Sequence, residues 1–535
     1  MPLLSTEGTN SLTLEIDTAP SNERVRLINL VDREMYGAFN DKVRSDFVTL
    51  ATKIRGFFYY RNKIIAHGAG TSGRFSKHWA NRCNEFTIPD YIFYGIQAGS
   101  YPALVVSVEG AEDDVAQGAK DFKKAAGNAE KAFYLSISCS GGAKCNLGAL
   151  EQAALDPRAE RFALLFNNIE DLDNVKIIPG LGKTTRQIYQ GFREHELILN
   201  PILGPEAIAG STRMKGGTAT QLILDTAFCL ATMPRLESIK DFRKTLDLFL
   251  KGYENSANAV GAVIDDLAEV VERVTESLSN KGHIYYLGSG EYGKLGILDA
   301  SECNPTFGAR HEDVRGFIEG GWQKFITPEQ FAEFSLTGKK FIYDNPLGLE
   351  YFNALQLSEN DIVVFLGETK LSKNLKNSYS VAYEKGAKTI EMIINPEKEQ
   401  EFGVYPSISS NMFFDYHGYK LNAMKLLLNT ITTASYAPLK AYGNKMIDLR
   451  LKNDKLISRG IRIIQEIIQD PILSKQDIIA QFDYATRMAG KTSYGEVDHL
   501  IPSALLKLKG IGYELGVRYL NEDPVVRRVI KKYCK

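Results

Sequence analysis

The sequence predicts an α/β protein: two doubly wound parallel sheets in tandem, followed by a C-terminal all-helical lid. Three observations carry this. Short apolar runs alternate with helical patterns, as expected of strands joined by crossover helices. A glycine-rich stretch after a strand pattern occurs twice, as GAGTSGRFSKHWANRC (Gly68–Cys83) and GSGEYGKLGILDASEC (Gly288–Cys303). The copies match at Gly68/Gly288, Gly70/Gly290, Gly73/Gly293, Arg74/Lys294 and Cys83/Cys303, every pair 220 positions apart, which implies duplication rather than chance glycines. From about Lys445 the strand patterns stop and helical periodicity takes over.

Residues 1–45 combine a polar arm with a helical pattern around Val25–Leu30. The first sheet unit, 46–240, opens with a helix pattern at Val48–Phe57 and a strand at Lys63–His67. The glycine-rich turn follows, and then a helix through Trp79. Further strands are expected at Tyr91–Gln97, Tyr134–Ser138, Phe162–Phe166 and Leu197–Leu203. The second unit, 241–444, repeats the plan with strands at His283–Leu287, Ile362–Leu366 and Thr389–Ile394. The 220-residue offset sets Met424–Ser435 against the helix that follows Gly204–Thr220. The lid, 445–535, contains helical patterns at Ile457–Ile468, Lys475–Met488 and Ser503–Tyr519, with a further helix near the C-terminus.

Composition narrows the function. With 535 residues and a formal net charge of −1, the chain gives no reason to expect nucleic acid or an anionic membrane as partner, so anion recognition must be local. The opening MPLLSTEGTN is not a secretory signal, and no apolar run reaches the length of a membrane span. Six cysteines and seven histidines are scattered without ligand spacing. The expectation is a soluble, reduced, cytoplasmic protein with no metal and no cofactor.

The chemistry concentrates in GPEAIAGSTRMKGGTAT (Gly204–Thr220), a polar turn between a strand pattern and the helical pattern Gln221–Thr232. Ser211 and Thr212 offer hydroxyls, Arg213 and Lys215 positive charge, and Gly216 and Gly217 room for backbone amides. A helix N-terminus with those groups suits a phosphate. Two more loops should converge on it: Gly70, Thr71 and Ser72 after the first strand, and Ser138, Cys139 and Ser140 after the third. Small hydroxyls and free amides suit a phosphorylated polyol. In EGAEDD (Glu109–Asp114) most carboxylates should complement a helix dipole while one or two face the site. Where the first copy has Arg82 the second has Glu302, and the second copy lacks a counterpart of GSTRMKGG. That asymmetry predicts one composite site.

GAGTSGR, EGAED, GPEAIAGSTRMKGGTA and ILDASEC together resemble the sugar isomerase (SIS, flavodoxin-like) family. The resemblance lies in the branch of the N-acetylmuramic acid 6-phosphate etherases and the glucokinase regulatory protein. TEGTN…EID (Thr6–Asp17), YGNKMIDLRLKNDKL (Tyr442–Leu456) and HLIPSALLKL (His499–Leu508) fit the same branch, so the likeness spans nearly the whole chain. It implies a tandem of SIS domains with a helical lid. Gly70, Thr71, Ser72, Glu112, Ser138–Ser140, Ser211–Arg213, Glu302 and Lys455 would line a fructose-phosphate site. It implies an apolar triplet, Met412, Phe413 and Phe414, facing a kinase partner. It also implies that Glu112 and Glu302 stand where the etherases keep their acid/base pair.

Two functions follow from the resemblance. The preferred one is a regulator rather than an enzyme: a protein that senses fructose 6-phosphate or fructose 1-phosphate and inhibits a glucokinase or hexokinase, in the nucleus if it sequesters the kinase there. The alternative is a carbon–oxygen lyase, an etherase cleaving the lactyl ether of N-acetylmuramic acid 6-phosphate with Glu112 and Glu302.

Overall fold

The computed structural model describes residues 4–86, 91–108, 110–234, 236–326, 328–332, 334–397, 403–408, 417–451, 454–523 and 525–533. Five parallel strands build the first sheet: β1 (Lys63–Gly68), β2 (Phe93–Gln97), β3 (Ala132–Ile137), β4 (Ala159–Leu164) and β5 (Leu197–Leu199), in the order β2-β1-β3-β4-β5. The second sheet holds β6 (Ile284–Gly288), β7 (Val314–Ile318), β8 (Ile362–Glu368), β9 (Lys388–Ile394) and β10 (Gly403–Val404). Its order, β7-β6-β8-β9-β10, is the same winding. Each sheet reverses direction beside its first strand, where doubly wound sheets open a crevice at the carboxyl ends. The repeated winding bears out the duplication and the fold class.

The strands are nearly continuous apolar runs because helices cover both faces, as parallel sheets require. From Ile64 to Gly68 every residue of β1 is buried, as is the whole of β3. Helices Ile239–Gly261 and Ile264–Ser279 link the two sheet units, and Ser21–Glu34 packs on both and on His417–Lys440. Past a short hairpin (Ala441–Tyr442 with Lys445–Met446), the described residues are helical with one short 3-10 turn.

Four details differ from the sequence reading. Leu197–Leu203 is extended only to Leu199, since Pro201 lacks an N–H and Asn200 turns its amide to the carbonyls of Leu165 (3.0 Å) and Asn167 (2.7 Å). Ser503–Tyr519 is two helices, Leu500–Leu508 and Tyr513–Glu522, separated where Gly510 takes φ 90°. Strand β7 carried too weak a signal because it contains Gly316. A Cβ there would sit 2.5 Å from Ile297 Cα, so the glycine lets helix Gly290–Phe307 lie against the strand. Finally, Met424–Ser435 lies within His417–Lys440, the counterpart of Lys215–Thr232, but these helices start fewer than 220 residues apart.

One buried group on β1 makes stability depend on pH. His67 is fully buried, its Nδ1 lies 2.9 Å from the Tyr134 hydroxyl, and desolvation brings its pKa down from 6.5 to about 3. The unfolded chain protonates near 6.5 and the folded one does not. The stability difference is therefore complete above pH 6.5 and is lost as pH falls toward 3. Between pH 6.5 and 5 the loss should be about 2 kcal/mol, measurable by urea unfolding. His67→Gln should flatten that slope; an unaltered slope would mean that other groups cause it.

Candidate functional site

A cavity of about 240 Å³ lies at the carboxyl ends of β1, β2 and β3, beside the reversal of the first sheet. Helix Gly70–Glu85 points its N-terminus at it. Its N-cap, Ala69, has no capping side chain, and the first intrahelical bond is from Gly73 N–H to the Ala69 carbonyl (3.3 Å). The amides of Gly70, Thr71 and Ser72 therefore precede the helical ladder at a positive dipole end, the arrangement that holds phosphates and other anions. Gly70, at φ +52°, makes the turn.

The loop after β3 brings Ser138, Cys139 and Ser140 to the same wall. It is a tight turn, Gly141 N–H donating to the Ser138 carbonyl (2.9 Å) with Gly141 at φ 76°. The Ser140 hydroxyl accepts from Gly142 N–H (3.3 Å). Burial pushes the Cys139 thiol up to about 11, so it is no nucleophile at neutral pH and packs beside the Ser72 hydroxyl at 3.5 Å.

Ser211, Thr212 and Arg213 also line the cavity, but their motif is built differently from its sequence reading. The N-terminus of helix Lys215–Thr232 already holds an anion from the chain itself. The buried Glu206 carboxylate accepts from the amides of Lys215 and Gly216, both at 2.9 Å. Burial raises the Glu206 carboxyl, against the pull of Lys215 and those two amides. Lys215 is fully buried and bonds Glu34 at 2.7 Å. Arg213 donates to Asp299 (3.0 Å), Thr432 (3.0 Å) and Thr433 (2.7 Å), and its guanidinium lies over the Phe307 ring. Lys425 holds the turn from below, donating to the carbonyl of Arg213 (3.0 Å) and to Thr218 (2.9 Å). Arg213 thus joins the two halves, Lys215 and the Gly216 amide are taken up within the first, and Ser211, 3.2 Å from the Thr306 hydroxyl, remains on the cavity wall.

Glu112 lines the cavity, Asp113 pairs with Lys144 (2.7 Å), and Asp114 caps helix Val115–Ala126 by accepting from Gln117 N–H (2.8 Å). One carboxylate of EGAEDD thus lines the cavity while Asp114 serves the helix. Glu109 lies outside the described residues.

Glu302 crosses to this cavity from the second half. It accepts from the Thr71 hydroxyl at 2.7 Å and from Arg74, whose guanidinium is buried. Its repeat mate Arg82 instead pairs with Asp225 and approaches Glu291 (3.9 Å). The wall is completed by Asn304, Pro305 and Thr306 and by Met446, Arg450, Leu456 and Arg459 from the C-terminal part. Arg459 also binds Glu7, as does Arg462 (3.0 Å), so the N-terminal arm reaches the rim. Lys455 sits in helix Asp454–Ile468, but its side chain lies outside the described ones, and so do Met412, Phe413 and Phe414 altogether.

Sequence reasoning missed Arg459, Arg74 and Gln97. Arg459 had a signal, since four residues beyond Lys455 on a helix is the same face. Arg74 stood within the quoted motif.

The second copy has turned its own strand ends into ion pairs. Glu291 occupies the repeat position of Thr71, and is held by His78 (2.7 Å), Lys294 (2.7 Å) and Arg82. Despite desolvation, these three neighbours keep its carboxyl far below the usual range. Glu368 at the end of β8 accepts from Tyr292 (2.9 Å) and Lys420 (2.6 Å). An incoming anion would meet Glu291 where the first copy offers a hydroxyl and amides.

Comparison with known proteins agrees with this asymmetric duplication. The family model described as the N-terminal SIS domain of glucokinase regulatory protein matches residues 49–154, and that for its second SIS domain matches 262–394. The chain is 27% identical to the human glucokinase regulatory protein over 503 residues, covering 86% of this chain and 79% of that one. With the Xenopus laevis protein it shares 25% over 553 residues, covering 94% and 88%. With an N-acetylmuramic acid 6-phosphate etherase of Vibrio atlanticus it is 34% identical over 271 residues, covering 50% of this chain and 81% of the etherase. The chain belongs to the family of the glucokinase regulatory proteins and N-acetylmuramic acid 6-phosphate etherases. Within that family its tandem sheets set it with the regulatory proteins in length, since an etherase matches only half of it. Among the described residues no helix is long and apolar enough to cross a membrane, none of the His, Cys, Asp and Glu side chains form a metal-holding group, and Cys83, Cys139, Cys145 and Cys303 are free thiols.

Proposed function

We propose that the chain is a regulator that binds a hexose phosphate and, in response, changes how it engages a glucose-phosphorylating kinase. The supporting observation is that one cavity draws Thr71 from the first half, Glu302 from the second and Arg459 from the C-terminal helices. A ligand there touches all three segments at once, so it stabilises one relative arrangement over another, which is what a switch requires. Its phosphate would take the amides at Gly70–Ser72, and its hydroxyls would take Ser138, Ser140, Ser211, Glu112 and Glu302. The family relationship supports fructose 6-phosphate or fructose 1-phosphate as ligand and a glucokinase or hexokinase as partner.

A second reading has one observation in its favour. Glu112 and Glu302 line the same cavity, so two carboxylates are available to one ligand. Lactyl ether cleavage would use one as base and the other as acid.

Calorimetry with fructose 6-phosphate and fructose 1-phosphate, beside an assay of D-lactate release from N-acetylmuramic acid 6-phosphate, separates the two. The regulator reading expects binding, no lactate, and inhibition of a glucokinase that changes when the sugar phosphate is added. Glu302→Gln should weaken binding by about tenfold to a hundredfold, the range for one hydrogen bond to a charged group. Lactate release abolished by Glu302→Gln would replace the regulator with an etherase, and absence of any sugar-phosphate binding would sink both.

A further inference from the structure

A second cavity, of about 330 Å³, lies along β2 at the edge of the first sheet, with Gln330 and Phe334 of the second half on its wall. Its volume falls in the range of small-molecule sites. The Tyr101 hydroxyl donates to Gln330 Oε1 (3.0 Å) and the Tyr101 and Phe334 rings lie 5.1 Å apart, so both halves build the wall.

Lys77 is the group that lacks an explanation. Its ammonium lies 4.8 Å from the centroid of the Tyr101 ring and 5.8 Å from that of Tyr94, and among the described residues it has neither a hydrogen-bond acceptor nor an ion-pair partner. Two ring faces attract a cation but leave its N–H donors without acceptors. The carboxylate on this wall, Asp121, accepts from Gln117 Nε2 at 2.8 Å. A second cation, Lys124, stands on the same wall.

We propose that this cavity is a separate ligand site for a small planar ring compound bearing a carboxylate or a phosphate. The anionic group takes Lys77, with Lys124 behind it, and the ring lies among Tyr94, Tyr101 and Phe334. Aromatic walls favour a flat apolar body, while the ammonium fixes its charged end. Burial lowers the Lys77 pKa to about 8, with the charge of Lys124 adding to the effect, and an arriving anion relieves both. Gln97 is the partition between the cavities: it is 6% exposed, lines both, and its Oε1 has no partner.

The test uses the full chain, saturated with fructose 6-phosphate to keep the probes out of the first cavity. Adenosine 5′-monophosphate, 4-hydroxybenzoate and inorganic phosphate are titrated by ligand-observed NMR and calorimetry. If fructose 6-phosphate does not bind, the same titrations are run without it, and Glu302→Gln reports whether a probe has entered the first cavity instead. The expected result is that at least one ring-bearing probe binds more than tenfold tighter than inorganic phosphate. Lys77→Met should weaken that probe by about tenfold or more, and Lys77→Arg should restore most of the affinity. Both variants should keep the wild-type thermal midpoint and sugar-phosphate affinity. Three results would overturn the proposal: no ring probe bound at millimolar concentration, inorganic phosphate bound as tightly as the ring probes, or equal affinity in Lys77→Met and wild type.

Discussion

Gly73→Ala is expected to abolish sugar-phosphate binding and to destabilise the fold by about 3 kcal/mol or more, at the upper end of overpacking costs. A Cβ at this position would lie 2.3 Å from the Gly68 carbonyl oxygen and 2.7 Å from its carbon, as well as 2.2 Å from Gln97 Oε1. Gln97 could turn aside, but the end of β1 cannot. Helix Gly70–Glu85 would have to move off the strand, carrying Thr71, Ser72 and Arg74 away from Glu302. Gly70→Ala is the control. Its Cβ meets nothing within 4 Å, so only the positive φ is strained, at a cost of about 1 kcal/mol. Chemical denaturation of both variants, with calorimetry for the ligand, checks the contrast. Equal small effects would show that the contact between strand and helix yields.

Arg213→Ala should act through the seam between the halves rather than through lost ligand contact. Arg213 is 2% exposed, and among the described residues Asp299 pairs with no other cationic side chain. Removing the arginine leaves a buried carboxylate without its counter-charge, a loss of about 3–5 kcal/mol. Burial already pushes the Asp299 carboxyl upward against the pull of Arg213, so the lost pair should leave it protonated at higher pH. Arg213→Ala combined with Asp299→Asn should recover part of the loss, because the uncompensated charge is gone. Thermal denaturation of the single and double variants tests this. A single variant as stable as wild type that merely loses sugar-phosphate affinity would return Arg213 to the role its motif suggested.

The alternation of apolar runs and helical patterns, and the glycine pairs Gly68/Gly73 and Gly288/Gly293, determined two like-wound parallel sheets. Their cause is local: periodicity follows burial, and a glycine is needed wherever a helix start passes close over a strand end. The convergence of Thr71 and Ser138 was legible too, because the carboxyl ends of the neighbouring strands β1 and β3 must meet, whereas Ser211 comes from a turn well beyond β5 at the far edge of the sheet. What the side chains do there was decided in three dimensions. Asp299 and Glu34 come from distant parts of the chain, and Glu206 folds back from the start of the same stretch, to claim the very cations and amides that looked free in GSTRMKGG, while Glu291 closes the equivalent place in the second copy. A charge in a sequence has no partner until the fold supplies one. In a dry interior the nearest opposite charge takes it, and only groups left facing the cavity remain for a ligand.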